Sequence, residues 1–463
     1  MADRHIADCS PDGALAGALR GLLGDRLSAA AAVRDQHGRD ESHHAPAAPD
    51  LVAFPGSTDE VASIVRACAD AGAPVIPFGA GTGLEGGVVA SSGGVCIDTS
   101  GLDRIRAVRA GDMDATVQAG VRRLRLNEEL RDTGLFFPVD PGADASIGGM
   151  AATGASGTNA VRYGTMRENV LNLTVVLADG RVIRTGSRAR KSAAGYDLTR
   201  LFVGAEGTLG VITEATVRLH GLPEAVSAAV CAFATVEGAV AACIATIQSG
   251  IPVARVELMD AAQMDACIRY AGLDYAAAPT LFLEFHGTAQ SVREQAEAVE
   301  AIAAEHGGAH FRWAERTEDR TRLWQARHDA LYAALALRPG VRAWSTDVCV
   351  PIGALAQCIA ETRADIDASG AMATMLGHVG DGNFHVIFLL DPDRPEEFEE
   401  AERLNDRMVA RALALDGTCS GEHGVGLGKQ AALAQEHGEA LSVMRAVKHA
   451  LDPDNIMNPG KVL

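Results

Sequence analysis

"PFGAGTGLEGG", Pro77–Gly87, decides how the first half of the chain is to be folded. It follows a short apolar run, "VIPF", with the character of a β-strand, and its G-A-G-T-G core suggests a dinucleotide-binding turn. A Rossmann fingerprint needs a helix directly after that turn, with the pyrophosphate at the helix N-terminus. Here Gly86, Gly87, two valines and "SSGGVCID" follow instead, and a helix is not expected. The doubly wound reading is therefore set aside. The successive main-chain groups of the loop can form a nest around a pyrophosphate without any helix dipole, and Gly79, Ala80, Gly81, Thr82, Gly83, Leu84, Gly86 and Gly87 are its expected ligand-binding residues.

Two further runs share this texture: "PGADASIGGMAATGASGTNAVRYG" (141–164) and "VGAEGTLGVITEATVRL" (203–219). Their small residues let a large planar or phosphorylated ligand lie against the backbone. In the first run the expected ligand-bordering residues are Pro141, Gly142, Ser146, Ile147, Gly148, Gly149, Ala152 and Thr153. In the second they are Glu206, Gly207, Gly210 and Ile212, with Pro77 entering from the first loop. One such run serves tight turns more often than a ligand; three in one region favour the ligand.

At 463 residues the chain exceeds the ~250–300 at which a single core stops growing, so two or more domains are expected. With 41 Lys+Arg against 60 Asp+Glu the net charge is −19, which argues against nucleic acid and anionic lipid as partners. Nine cysteines are scattered, with no C-x-x-C spacing, and read as reduced core thiols. The N-terminus lacks the apolar stretch of a signal peptide and is too acidic for a transit peptide, so a cytoplasmic location is expected. No run of ~18 apolar residues exists to span a membrane.

Residues 1–46 read as a helical then extended segment, and 47–222 as an α+β region of short strands and glycine-dense turns. After Pro223 long amphipathic helices alternate with strands: strands 226–233, 255–259, 280–286, 309–314 and 342–350, with helices 235–248, 261–270, 291–306, 352–368 and 395–415 between or after them. Helices covering one face of a mostly antiparallel sheet describe this second domain, 223–424. Residues 425–463, with a helix at 436–450, form a C-terminal segment.

Within the second domain, "GHVGDGNFH" (377–385) sets His378 and His385 around a Gly-Asp-Gly core, between flanks that read as strands. A straight strand would point these two imidazoles to opposite faces. A hairpin turn at Gly380–Asn383 would bring them near each other, as a metal site or an acid/base pair requires.

Together the glycine runs, "RYGTMRENV", "GHVGDGNFH", "GTCSGEHGVGLGK" and "NPGKVL" resemble the vanillyl-alcohol oxidase type of FAD-dependent oxidoreductase, also called the PCMH type. Within it they look like the D-lactate dehydrogenase (cytochrome) branch, next to 2-hydroxyglutarate dehydrogenases and the glycolate oxidase flavoprotein subunit. The resemblance implies an α+β protein with a PCMH-type FAD-binding domain, a substrate or cap domain, and a C-terminal segment that returns to the flavin with Asn458. The 77–87 loop has no His or Cys, so FAD is expected to be non-covalent.

"CSGEHGVGLGK" supplies Glu422 and His423. With His378 and His385, Glu422 makes a donor set suited to Zn²⁺, with Mn or Fe as alternatives. His423 remains as the base, the role the resemblance assigns to it. The resemblance also makes Arg327, on a helix in "LWQARHDAL", a clamp for the substrate carboxylate; His328 beside it reads as structural. Relatives acting on 2-hydroxyglutarate carry a lysine where this chain has Ser345, and Val348 and Val350 suit a smaller monocarboxylate. The expected activity is oxidation of a D-2-hydroxy acid, D-lactate first. The electrons would pass to a cytochrome, a quinone, another flavoprotein or oxygen. A glycolate oxidase subunit, a D-2-hydroxyglutarate dehydrogenase and an inactive flavin-binding protein are the alternatives. A homodimer and a peripheral association with the inner membrane through the acceptor are compatible with this reading.

Overall fold

The apolar strand Leu51–Ala53 pairs in parallel with Val95–Asp98, which pairs in parallel with Val75–Phe78. Parallel strands need a crossover, and the helix Thr58–Ala71 supplies it. Ser57 caps that helix by accepting from Glu60 N, and Gly72 ends it at φ 66°. Val61, Ile64, Val65 and Cys68 form its buried stripe in one core with Leu51, Val75 and Val95. The computed structural model describes Ser10 and Asp12–Leu463; Cys9 and the other opening residues of the N-terminal reading lie outside that part.

Two compact units result. The first takes the chain up to Ser156, Gly164–Leu222 and Glu422–Leu463; the second takes Gly157–Tyr163 and Pro223–Gly421. The division differs from the sequence expectation in three places. The N-terminal segment folds with the first unit, because Leu15, Leu19 and Leu23 are buried in the core just described. The second unit ends at Gly421 rather than 424. Gly157–Tyr163 crosses to the second unit, where Arg255 Nε donates to Asn159 Oδ1 at 3.0 Å and Tyr163 Oη meets His286 Nδ1 at 2.7 Å.

In the first unit no helix or strand follows Phe78 until Val95, so the glycine run is open loop. The C-terminal segment lies along the edge of Val75–Phe78: Val75 N donates to Ile456 O at 2.7 Å and Asn458 N to Val75 O at 2.8 Å. A second, antiparallel sheet orders Ile105–Arg109, Asp114–Gln118, Val211–Arg218, Val170–Val176 and Val182–Arg184. Its apolar face shares a core with Ile147, Met150 and Ala151 of the short helix Ile147–Thr153.

The second unit is built on an eight-stranded sheet whose pairs are all antiparallel. Its path runs Gly308–Ala314, Ala225–Phe233, Thr280–Gly287, Val253–Met259, Ala373–Gly377, Asn383–Leu390 and Arg342–Ser345, and the eighth strand, Val348–Cys349, pairs off this path with Asn383–Leu390. The expected one-sided helical cover is corrected: both faces are covered. Every position of Asn383–Leu390 is buried, which a one-sided sheet would not give. Val230, Phe282, Met259, Leu376 and Ile387 pack against the helices Ala261–Ala271, Thr317–His328 and Ala330–Ala336. The opposite parity, including Leu281, Leu283, Phe285 and Phe388, is buried as well. The helices Val236–Gln248, Ala289–Glu305, Leu355–Ser369 and Pro395–Ala414 pack side by side in a separate layer. The expected strand 342–350 breaks into Arg342–Ser345 and Val348–Cys349, with Thr346 and Asp347 between them.

Candidate functional site

The strands Ala373–Gly377 and Asn383–Leu390 form the expected hairpin, with Leu376 opposite His385. His378 lies two residues beyond Leu376, so it is the diagonal neighbour of His385 on the same face. The two rings are 5.4 Å apart at 81°. Their turn is closed by Asp381 N donating to His378 O at 3.0 Å. Gly382 sits at φ 81°, and a Cβ there would strike the Val350 carbonyl, so no other residue fits without displacement.

Sheet register places Glu257 on the same face, since Met259, two residues on, pairs with Leu376. Its side chain is enclosed on all sides. His378 Nδ1 lies 2.7 Å from Glu257 Oε1, and Arg327 Nε donates to Glu257 Oε2 at 2.9 Å. Burial alone would raise the Glu257 pKa, but the charges of His378 and Arg327 and their hydrogen bonds outweigh it and hold the carboxyl below its usual value. Arg327 thus commits Nε to Glu257. His385 Nδ1 lies 2.9 Å from Thr346 O. Both imidazoles therefore donate from Nδ1 to an oxygen, so that in the neutral form of each ring the lone pair is on Nε2, as a metal-binding histidine needs.

Asp347, fully buried, accepts from Asn383 Nδ2 at 2.7 Å and from Ser420 Oγ at 2.9 Å. A Cβ on Gly421 would meet Asn383 and Asp347. The chain is thus held beside the hairpin up to the residue before Glu422. Glu422 and His423 themselves open the last segment of the first unit. His328 turns toward Trp324, 6.4 Å between ring centres. Val348 and Val350 are buried, and Ser345 is half-buried.

In the first unit the glycine runs converge. A Cβ on Gly79 would lie 2.5 Å from Ser146 Oγ, and one on Gly207 would lie 2.8 Å from Pro77. Asn458 Nδ2 donates to Gly87 O at 2.9 Å and to Glu206 O at 2.7 Å, tying the C-terminal segment to two of the runs. Ala152 O accepts from Glu206 N at 2.8 Å, and Thr153 Oγ1 donates to Gly149 O. Among the described residues, the main-chain N–H groups of Ala80–Leu84 donate to no main-chain carbonyl. This row of uncommitted donors fits the pyrophosphate of FAD.

Not every small residue there faces a ligand. A Cβ on Gly148 would lie 2.5 Å from Ala119 Cβ, and one on Gly210 would lie 2.7 Å from Val175 Cγ1, so these two glycines serve the protein's own packing. Gly142, by contrast, has open space where its Cβ would be. Ile212 is buried in its strand. The Glu206 carboxylate accepts from Val425 N and Gly426 N, so its partners are main-chain amides.

Residues 49–186 match the family described as FAD binding domain, and residues 222–462 match FAD linked oxidases, C-terminal domain. The chain belongs to the FAD-linked oxidases. It is 56% identical over 449 residues to a Danio rerio protein named probable D-lactate dehydrogenase, mitochondrial, spanning 96% of this chain and 90% of that one. It is 50% identical over 448 residues to the mitochondrial D-lactate dehydrogenase [cytochrome] of Arabidopsis thaliana, spanning 96% and 79%. The branch implied by the motifs is thereby the right one. The 4-ethylphenol oxidase of Gulosibacter chungangensis shares the fold, with a TM-score of 0.79 at 19% identity over 97% of this chain and 96% of that one. The expected cytoplasmic location is corrected by these relatives, both of which are named as mitochondrial. Among the described residues no helix is long and apolar enough to cross a membrane.

Sequence reasoning missed Glu257 and Asp347. The signal for Glu257 was a lone carboxylate at the centre of the apolar strand "VARVELM"; a charge there must be paired to be buried.

Proposed function

We propose that this FAD-linked oxidase converts D-lactate to pyruvate and passes the electrons to an external acceptor of cytochrome type. The observation that carries the reading is the chain Arg327–Glu257–His378, with His385 on the same face of the sheet. It joins a guanidinium for a carboxylate to an imidazole with its lone pair on Nε2. The names of the two relatives support D-lactate as the 2-hydroxy acid.

The Ala80–Leu84 amides and the converging runs would hold FAD, which would supply the hydride acceptor. His378, His385 and Glu422 would hold a divalent ion, Zn²⁺ first, which would supply Lewis acidity toward the substrate hydroxyl. Arg327 binds the lactate carboxylate through its Nη groups and fixes which face of C2 is presented. Glu257 keeps Arg327 and His378 aimed, because each of its oxygens is committed to one of them. His423 removes the hydroxyl proton, since hydride loss from a neutral alcohol is slow.

A chelator should abolish D-lactate oxidation while the visible flavin spectrum persists, and added Zn²⁺ or Mn²⁺ should restore pyruvate formation. Unchanged turnover after exhaustive chelation, with metal content confirmed as nil, would remove the ion from the mechanism.

A further inference from the structure

Glu206 stands in a glycine-rich run, yet it adopts φ 50°, a left-handed conformation that glycine would take without strain. A side chain kept at such a position points to a need for that side chain. The residue is buried, and its two carboxylate oxygens are both spent on one short stretch. Oε1 accepts from Val425 N at 2.6 Å and Oε2 from Gly426 N at 2.9 Å. Both bonds are of the charge-assisted kind, about twice as strong as neutral ones.

The stretch so held is shaped for it. Gly424 and Gly426 have φ 88° and 48°. A Cβ on Gly424 would lie 2.8 Å from Glu206 Oε1, and a Cβ on Gly426 would collide with the Glu85 carbonyl. The main chain of Glu206 is itself fixed, by Ala152 O on one side and Asn458 Nδ2 on the other. Lys429 and Lys461 are the cations whose charges reach the carboxylate; burial still pushes its pKa above the ordinary value.

We infer that Glu206 is a positioning residue for His423: by clasping the amides of Val425 and Gly426 it fixes the loop that carries the base. This rests on the reading of His423 as the base. Gly424 and Gly426, which follow His423, tolerate many backbone conformations, and the clasp on the Val425 and Gly426 amides narrows those open to the loop that carries the imidazole. This role differs from the sequence expectation of Glu206 as a cofactor contact, and a carboxylate is a poor neighbour for a phosphate.

The test uses the FAD-loaded full chain with saturating divalent ion, so that loss of Glu422 ligation does not contribute. Glu206→Gln keeps the volume but turns an NH2 group toward one of the two amides. It should retain flavin and keep KM for D-lactate near the parent value, while anaerobic flavin reduction slows about 10–100-fold, the usual cost of an orienting partner. Hydrogen exchange of a peptide spanning Val425 and Gly426 should accelerate. The double variant Glu206→Gln/His423→Ala should be no slower than His423→Ala alone, because a residue that acts through another adds nothing once the other is gone. Losses that multiply, or a slowed His423→Ala beside an unaffected Glu206→Gln, overturn the clasp and leave the base standing. A His423→Ala that reduces its flavin at the parent rate overturns the base and the clasp with it. Gly424→Ala, which crowds Oε1 from the other side, should repeat the Glu206→Gln pattern should that variant fold poorly; a parent-like Gly424→Ala rate and exchange pattern would count against the clasp.

Discussion

His423→Ala is expected to slow anaerobic flavin reduction by D-lactate by about 10²–10⁴-fold, the usual range for removing a general base. Arg327, His378 and His385 lie in the other unit and keep the contacts described, so substrate affinity should change little. The defect should sit in the reductive half-reaction alone, because reoxidation of the flavin by an acceptor does not involve the hydroxyl proton. A rapid-mixing measurement of the two half-reactions separates them. A parent-like reduction rate, or a defect confined to reoxidation, would show that the proton leaves by another route.

Glu257→Ala should have the largest effect on stability. Removing the carboxylate strands Arg327 and His378 around a cavity, and breaking a buried charge pair in this way costs about 3–5 kcal/mol. The loss should appear as a lower melting temperature and denaturant midpoint of the second unit. Glu257→Gln, which fills the volume and can still accept from Arg327, should recover part of the stability but leave His378 without a charged acceptor. Its metal affinity should fall about 10–100-fold, as for other partners that orient a ligating histidine. Parent-like unfolding of Glu257→Ala would mean that the pair contributes nothing net.

What was legible in the sequence followed from local rules. The hairpin could be read because glycine and aspartate break the strand at 380–382 and the apolar alternation resumes after them. The open loop after Phe78 could be read because nothing in 79–94 favours a helix. Glu257 could not, since its meaning depends on the register between Met259 and Leu376, two strands that are distant in sequence. Nor could the crossing of Gly157–Tyr163, which rests on Arg255 and His286 about a hundred residues away. The two-faced cover of the sheet escaped because a short, continuously apolar strand and a half-buried one differ only in the positions that face away. Gly148 and Gly210 could not be sorted from the other glycines of their runs, because the Ala119 and Val175 atoms that a Cβ there would strike belong to other strands and turns.

The whole mechanism depends on transfer of a hydride from a D-2-hydroxy acid to FAD. It is tested by mixing the purified, metal-loaded protein anaerobically with D-lactate or L-lactate and following the visible absorption of the oxidised flavin. Full bleaching is expected with D-lactate in a single turnover, with one pyruvate per flavin, and no comparable bleaching with L-lactate. A flavin that stays oxidised with D-lactate, or that bleaches equally with both enantiomers, would contradict it.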